Sequence, residues 1–376
     1  MSMALQRVCL AGTGSFLPND PVPNDRIDDV LGQLSDAPPR VQQFVQTVGR
    51  RMLEAGGVKT RHFAVNPETH CLTHTLASLA EPAARQALEA AGMKPTELDL
   101  LLLSSPSYDA ATPPTSTLLQ ERLGIDSCAE MEVHSNCAGV GKCVQIAYDA
   151  LRLGRYRTAL LVYPQLSSVY LRSCYFNPAR ITKSQAALRY ILADGAGALV
   201  LKAAGGNGAS PLPRQIIGTH VESVGGDRRP GMTAGGGVAD AAGPHPPTQD
   251  VFERGSHHLD QDFAAVSRDA GPLLLAGVLR MLERLALAPR AVDHYIWSIP
   301  TLQLYDENRE RFCKALSVGA ERMRFHATHV GYCGGASILI HLDQMARSGE
   351  LRSGQTVVLH SVESSKWMSA GFVVRW

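Results

Sequence analysis

The chain has 376 residues, 45% of them hydrophobic, and 36 Lys and Arg against 35 Asp and Glu leave a formal net charge of +1. That length exceeds one ordinary core and implies about two folding units or one large duplicated unit. Balanced charge gives no global field toward nucleic acid or an anionic membrane, no run of about 18 apolar residues is present to span a bilayer, and MSMALQRVCLAGTGSFLP does not read as a secretory leader, so a soluble, cytoplasmic protein is expected.

In chain order, the strand-like runs are RVCLAGTG, LDLLLLSS, AEMEVHSN, TALLVYP and GALVLKAA, separated by helical stretches such as CLTHTLASLAEPAARQALEAAGM and VGKCVQIAYDALRLGRY. Such alternation argues for a layered α/β architecture. After the Gly/Pro-rich AAGGNGASPLP the order begins again with RQIIGTHVES, the helical FAAVSRDAGPLLLAGVLRMLERLAL, then VDHYIWSI, TVVLHSV and SAGFVVRW. The second part reads as a degenerate copy of the first, a duplicated domain rather than a solenoid unit, with halves at 1–205 and 213–376. Between Gly225 and Asp250 a Gly/Pro/Ala-rich tract without apolar period is expected to be a long surface loop.

Eight dispersed cysteines with no CxxC pair suit reduced thiols. One of them, Cys137 in EVHSNCAGVGKC, sits where an apolar strand stops and a glycine-punctuated helix begins. The spacing of Val140, Val144, Ala147 and Leu151 puts one apolar face on that helix. A helix N-terminus offers free N–H groups and a positive dipole end that favour thiolate. On the residues alone two readings stand: a nucleophile, or a small buried side chain in a tight corner. Cys143 reads as core. His134 precedes Cys137 by three positions and, at a period of two, faces away from it.

GTGSFLPNDPVPND, GVKTRHFA, DLLLLSSPS, HSNCAGV, ADGAGALVL and GYCGGASILIHLDQMARSGELRSGQTVVLHSV, collinear from about Val8 to Trp376, together resemble the ketoacyl-acyl carrier protein synthase III branch of the thiolase superfamily. The resemblance implies two βαβαβαββ halves in a five-layer α-β-α-β-α arrangement, a homodimer, and Cys137 as the nucleophile. It implies no cofactor or metal, with a coenzyme A or phosphopantetheine (acyl carrier protein) thioester as substrate, and no nucleic-acid or membrane partner. H-x2-H-x3-C at His326, His329 and Cys333 lacks a fourth ligand at metal spacing and reads as chance. GTGSFL lacks the third glycine of a dinucleotide loop.

The family's catalytic His and Asn are absent. Aligned by its strand, the second half puts Ser298 at the His position and Thr301 at the Asn that follows it; aligned by its glycines, it puts Tyr332 at the other catalytic Asn. Hydroxyls can donate to a developing oxyanion but carry no imidazole charge. His329 is either a satisfied core histidine beside the site or a replacement base, and Ser364 or Ser365 a source of the oxyanion-hole N–H supplied in relatives by a glycine-rich turn. Thr112, in the loop after DLLLLSS, lies where relatives place a gate that closes the neighbouring subunit's acyl pocket. Gln303 stands where a basic residue engages the carrier protein, leaving Gly49 to Arg51, Arg61 or Arg180 for that contact. The segment from Tyr163 to Leu192, rich in tyrosine, is expected to shape an acyl pocket or to pack at the dimer interface, and the insertion LSDAPPRVQQFVQTVGRRMLEAGG resembles that of specialised, secondary-metabolite members. The expected function is acyl transfer through Cys137, with decarboxylative condensation with malonyl carrier protein, or a silent partner subunit, as the alternatives.

Overall fold

The computed structural model describes residues 5–205, 212–242 and 247–376. In the first half, β1 (Arg7–Phe16), α1 (Leu76–Ala90), β2 (Leu100–Ser105), α2 (Thr115–Leu123), β3 (Ala129–His134), α3 (Gly139–Arg152), β4 (Thr158–Leu166) and β5 (Asp194–Ala204) follow in βαβαβαββ order. All six residues of β2 are buried, the mark of a strand covered on both faces. Helix α1 is started by Thr75, whose hydroxyl accepts from the Ser78 amide, and its Leu and Ala positions form the buried stripe.

The second half contributes β6 (Gln215–Ser223), α4 (Phe263–Arg284), β7 (His294–Trp297), α5 (Leu302–Leu316), α6 (Ala336–Arg347), β8 (Thr356–Glu363) and β9 (Met368–Arg375). All nine strands form one sheet in the order β7-β8-β9-β6-β1-β5-β4-β2-β3. Read outward from its middle, each side runs antiparallel, antiparallel, parallel, so the duplication is topological. Within the sheet the halves pair at one residue pair, Cys9 with Gln215.

The copy is incomplete. Between α5 and α6, where the first half has β3, residues 324–335 form turns with left-handed Gly331 and Gly334. The expected surface loop at Gly225–Asp250 also carries structure. Met232–Thr233 pairs with Asp260–Gln261, and a helix begins at Pro247. Residues 206–211, around the expected boundary between halves, and 243–246 lie outside the described residues.

Three apolar clusters account for five layers. One lies outside the first half's strands, formed by α1 and α2; one outside the second half's, formed by α4 and α5; and one between them, where α3 and α6 meet both sets of strands. This central layer sets the site, because the N-terminal ends of α3 and α6 carry the residues that come together there.

Candidate active site

Cys137 sits in the turn from β3 to α3, just before the helix cap at Ala138. The turn closes with the Gly139 amide donating to the Asn136 carbonyl at 2.9 Å. Helix α3 approaches its neighbours so closely that side chains are excluded. A Cβ on Gly139 would lie 2.1 Å from Ser104 Oγ, and one on Gly141 would lie 2.6 Å from Ala370 Cβ and 2.7 Å from the Gly371 nitrogen. Gly139 therefore seats the start of α3 on β2, and Gly141 seats it on β9 of the second half.

That half brings two hydroxyls to the thiol. Tyr332 Oη lies 3.1 Å from Cys137 Sγ, and Ser298 Oγ lies 2.8 Å from Tyr332 Oη and also donates to the Gly334 carbonyl at 3.3 Å. Ser298 follows the last residue of β7, and Tyr332 lies in the glycine turn before α6 with its carbonyl accepting from the Ala193 amide. The positions aligned to the family's missing His and Asn thus converge on the cysteine as a hydroxyl pair.

The electrostatics differ from the expectation of a favoured thiolate. Cys137 faces a cavity, yet the protein packed around its sulfur pushes the thiol up to about 11. Burial is the largest cause, the negative charge of Glu363 adds to it, and the hydrogen bonds from Tyr332 and Ser298 work in the opposite direction. Burial and the adjacent sulfur likewise raise Tyr332 well above the ordinary phenol range.

Glu363, which sequence reasoning did not single out, is the last residue of β8 and only 2% exposed. Its Oε2 accepts from Ser135 Oγ at 2.6 Å and from the Ala138 amide at 3.2 Å, and Oε1 accepts from Ser365 Oγ. Lys142 Nζ donates to Ser135 Oγ at 2.8 Å. A carboxylate therefore occupies a free amide at the start of α3, where it takes up part of the dipole stabilisation expected for a thiolate. The one available signal was a charged residue closing the apolar run TVVLHSVE.

The expectations for His329, Ser365 and Arg61 need correction. His329 is exposed, joins the site's surroundings only through its carbonyl, which accepts from Thr60 Oγ1 at 2.8 Å, and does not line the cavity; on a turn with no regular period, three residues of separation from Tyr332 do not fix a common face. Ser365 turns its hydroxyl to Glu363, and Ser364 lines the cavity instead. Thr301 reaches the cavity wall but also caps α5, accepting from the Leu304 amide at 3.2 Å. Arg61 is 1% exposed and cannot meet a carrier protein, while Arg50, Arg51 and Arg180 are exposed. Thr112 is exposed and lies outside this chain's own cavity.

His134 is exposed on β3, while Cys143 and Cys333 are buried in the central layer. Among the described residues no group of three or more His, Cys, Asp or Glu could hold a metal ion, and no helix is long and apolar enough to cross a membrane.

The cavity has a volume of about 510 Å³. Cys137, Asn136, Ser298 and Tyr332 form one wall. The insertion supplies Phe44 and Met52, and the segment after Tyr163 supplies Lys183, Ala187, Ile191 and Leu192 rather than its tyrosines. Tyr163 is buried behind the site with its hydroxyl donating to the Ser135 carbonyl at 3.3 Å, and Tyr190 donates to Asp28 at 3.0 Å.

Two family models match the chain: 3-oxoacyl-[acyl-carrier-protein (ACP)] synthase III at residues 131–223, and the C-terminal part of the same enzyme at 282–376, together half of the chain. The chain belongs to the synthase III branch of the thiolase superfamily. Among solved structures this synthase III-like chain is similar to "AbyA1 - tetronic acid condensing enzyme", at 25% identity over 98% of this chain and 100% of that one, with a TM-score of 0.77. It shares its fold with 3-oxoacyl-(acyl carrier protein) synthase III, FabH, of Pseudomonas aeruginosa PAO1, at 21% identity, 98% of each chain and a TM-score of 0.76. The C143A variant of Xanthomonas campestris OleA matches at 18% identity over 100% of this chain and 98% of that one, with a TM-score of 0.75. Membership places the protein among condensing enzymes, a class of transferases and synthases. Its hydroxyl pair departs from the His and Asn that the resemblance implied.

Proposed function

We propose that the protein is an acyltransferase that loads an acyl group from a coenzyme A or carrier-protein thioester onto Cys137 and passes it to a nucleophilic acceptor in polyketide or other specialised lipid synthesis. The observation that carries this reading is the Cys137–Tyr332–Ser298 hydrogen-bond chain facing a largely apolar cavity. Loading requires only a thiol, a route for its proton and a space for the chain. As Cys137 Sγ bonds the acyl carbon, that carbon's bond to the donor sulfur breaks. The thiol proton passes by way of the Tyr332 hydroxyl to the departing sulfur, so no group on the protein need end the step charged.

A second reading, decarboxylative condensation with a malonyl thioester, draws on two observations. Tyr332 and Ser298 present hydroxyls where an enolate oxygen would need donors, and one similar protein at 25% identity is described as a condensing enzyme.

Incubation with a panel of acyl-coenzyme A compounds, followed by intact-protein mass measurement, tests the proposal. The expected result is one added acyl mass on the wild type and none on Cys137→Ala. No gain across short, long and branched acyl groups overturns both readings. Carbon dioxide release coupled to product on adding malonyl carrier protein selects condensation over simple transfer.

A further inference from the structure

Beyond the wall that carries Cys137, the cavity runs into the crevice between α4 and α5. Ala270, Gly271 and Leu274 line it from α4, and Leu304, Asn308 and Phe312 from α5. Their spacing is one helical face on each side, i, i+1 and i+4 on α4 and i, i+4 and i+8 on α5, so the two faces run alongside each other. Ala270 and Gly271 present little or no side chain to the crevice, and Pro272 inside α4 removes a backbone hydrogen bond at the same level. The inner end is closed, because Leu274 is 1% exposed and Phe312 is wholly buried.

Toward its exposed mouth the crevice is polar, with Gln303 and with Ser267 Oγ donating to Glu307 Oε2 at 3.3 Å; at the buried level one polar side chain breaks the apolar lining. Asn308 is 4% exposed, and its amide nitrogen spends one N–H on the Leu304 carbonyl of its own helix, at 2.9 Å. Its oxygen has a single long contact, 3.4 Å from Arg311 Nη1. A second N–H and a lone pair of the side chain therefore remain for the cavity. The amide rests on the bare backbone of Gly271, where an added Cβ would lie 2.0 Å from Asn308 Oδ1. A buried amide with unused hydrogen-bonding capacity carries a desolvation penalty that a polar ligand would relieve and an alkyl chain would not.

We propose that this crevice receives the chain of the thioester substrate and that Asn308 selects chains bearing an oxygen substituent, a hydroxyl or keto group, over plain alkyl chains. The inference rests on the acyl-transfer reading for the identity of the ligand as an acyl thioester, whereas recognition by Asn308 is a property of binding alone. Gly271 is the complementary determinant, since any side chain there pushes into the amide.

The test uses the full chain carrying Cys137→Ala, so that binding is read without reaction, and N-acetylcysteamine thioesters of decanoic acid and of its positional hydroxy isomers as probes in calorimetric titration. At least one hydroxy isomer is expected to bind on the order of tenfold more tightly than the decanoyl probe, the scale of one buried hydrogen bond. Adding Asn308→Leu is expected to bring that ratio to about one, and Gly271→Ala to weaken all the probes, with thermal melts verifying that each variant is folded. Equal binding of all probes by the Cys137→Ala protein, or a preference that survives Asn308→Leu, overturns the inference.

Intact-mass loading of the protein with native Cys137 separates the two claims. Selective binding without any loading leaves the Asn308 inference standing and removes the acyl-transfer reading. Loading without an Asn308-dependent preference does the reverse.

Discussion

The reactivity of Cys137 offers the sharpest test of the site. With its thiol pushed up to about 11, roughly one molecule in 10,000 carries the thiolate at pH 7, against about 3% for a free thiol near 8.5. Alkylation by iodoacetamide should then be about 300-fold slower at pH 7 than that of an exposed cysteine and should rise tenfold per pH unit up to about pH 10. Cys71 and Cys174 are exposed and will react first, so the rate must be followed on the Cys137 peptide by mass spectrometry. Two variants divide the causes. Tyr332→Phe deletes a hydrogen bond that lowers the value and should slow alkylation further, whereas Glu363→Gln deletes a negative charge that raises it and should speed alkylation. A midpoint near or below 8.5 in the wild type, or shifts of the same sign in both variants, would refute the reasoning.

Gly141→Ala should be costly although alanine is the better helix former by about 1 kcal/mol. The new methyl meets Ala370 and the backbone of Gly371 at under 3 Å, an overpacking of about 1–3 kcal/mol with no flexible side chain to yield, and a net fall in the urea midpoint is expected. Thr301→Ala removes the hydroxyl that caps α5 and should lower stability by about 1 kcal/mol without changing the alkylation rate of Cys137. His329→Ala should leave both acyl loading and the pH profile of alkylation as they are, because its side chain is exposed and outside the cavity; a loss of loading would return His329 to the site.

Much of the first half was legible because burial leaves a plain record in it. LLLL in β2 reads as a strand covered on both faces, and the small residues of α1 mark a helix pressed on the sheet. Ser298 and Tyr332 were reachable for a related reason: one follows the end of an apolar strand and the other sits among glycines, both landmarks that survive divergence. His329 had no such landmark, since an irregular turn carries no period to say which way a side chain points. Glu363 was hidden by distance. Its partners Ser135 and Ala138 are 228 and 225 residues away, and a glutamate closing a strand reads locally as the point where the sheet meets water. The absent counterpart of β3 was likewise masked, because the family pattern supplied a strand that FHATHVGYC does not form.

The two hydroxyls also explain why loading is the better supported half of the chemistry. In the resting state the sulfur, Tyr332, Ser298 and the Gly334 carbonyl form a line of hydrogen bonds whose protons can all point toward Gly334, and the thiol that burial keeps neutral can hand its proton to the Tyr332 hydroxyl as that hydroxyl gives its own to the departing sulfur. Once the sulfur is acylated it no longer has a proton to give, and Tyr332 is free to turn its own toward the substrate while Ser298 stays anchored on Gly334. That leaves one directed donor for an oxyanion where the family pattern uses an imidazole and an amide together. Exchange between sulfurs develops charge on one oxygen, whereas condensation develops it on two, the enolate oxygen of the second substrate and then the carbonyl oxygen of the acyl group on Cys137, and so draws on more donors. Condensation at this site would therefore need a further donor from the protein or from the second substrate, and the cavity lining offers Asn136 and Ser364 for it.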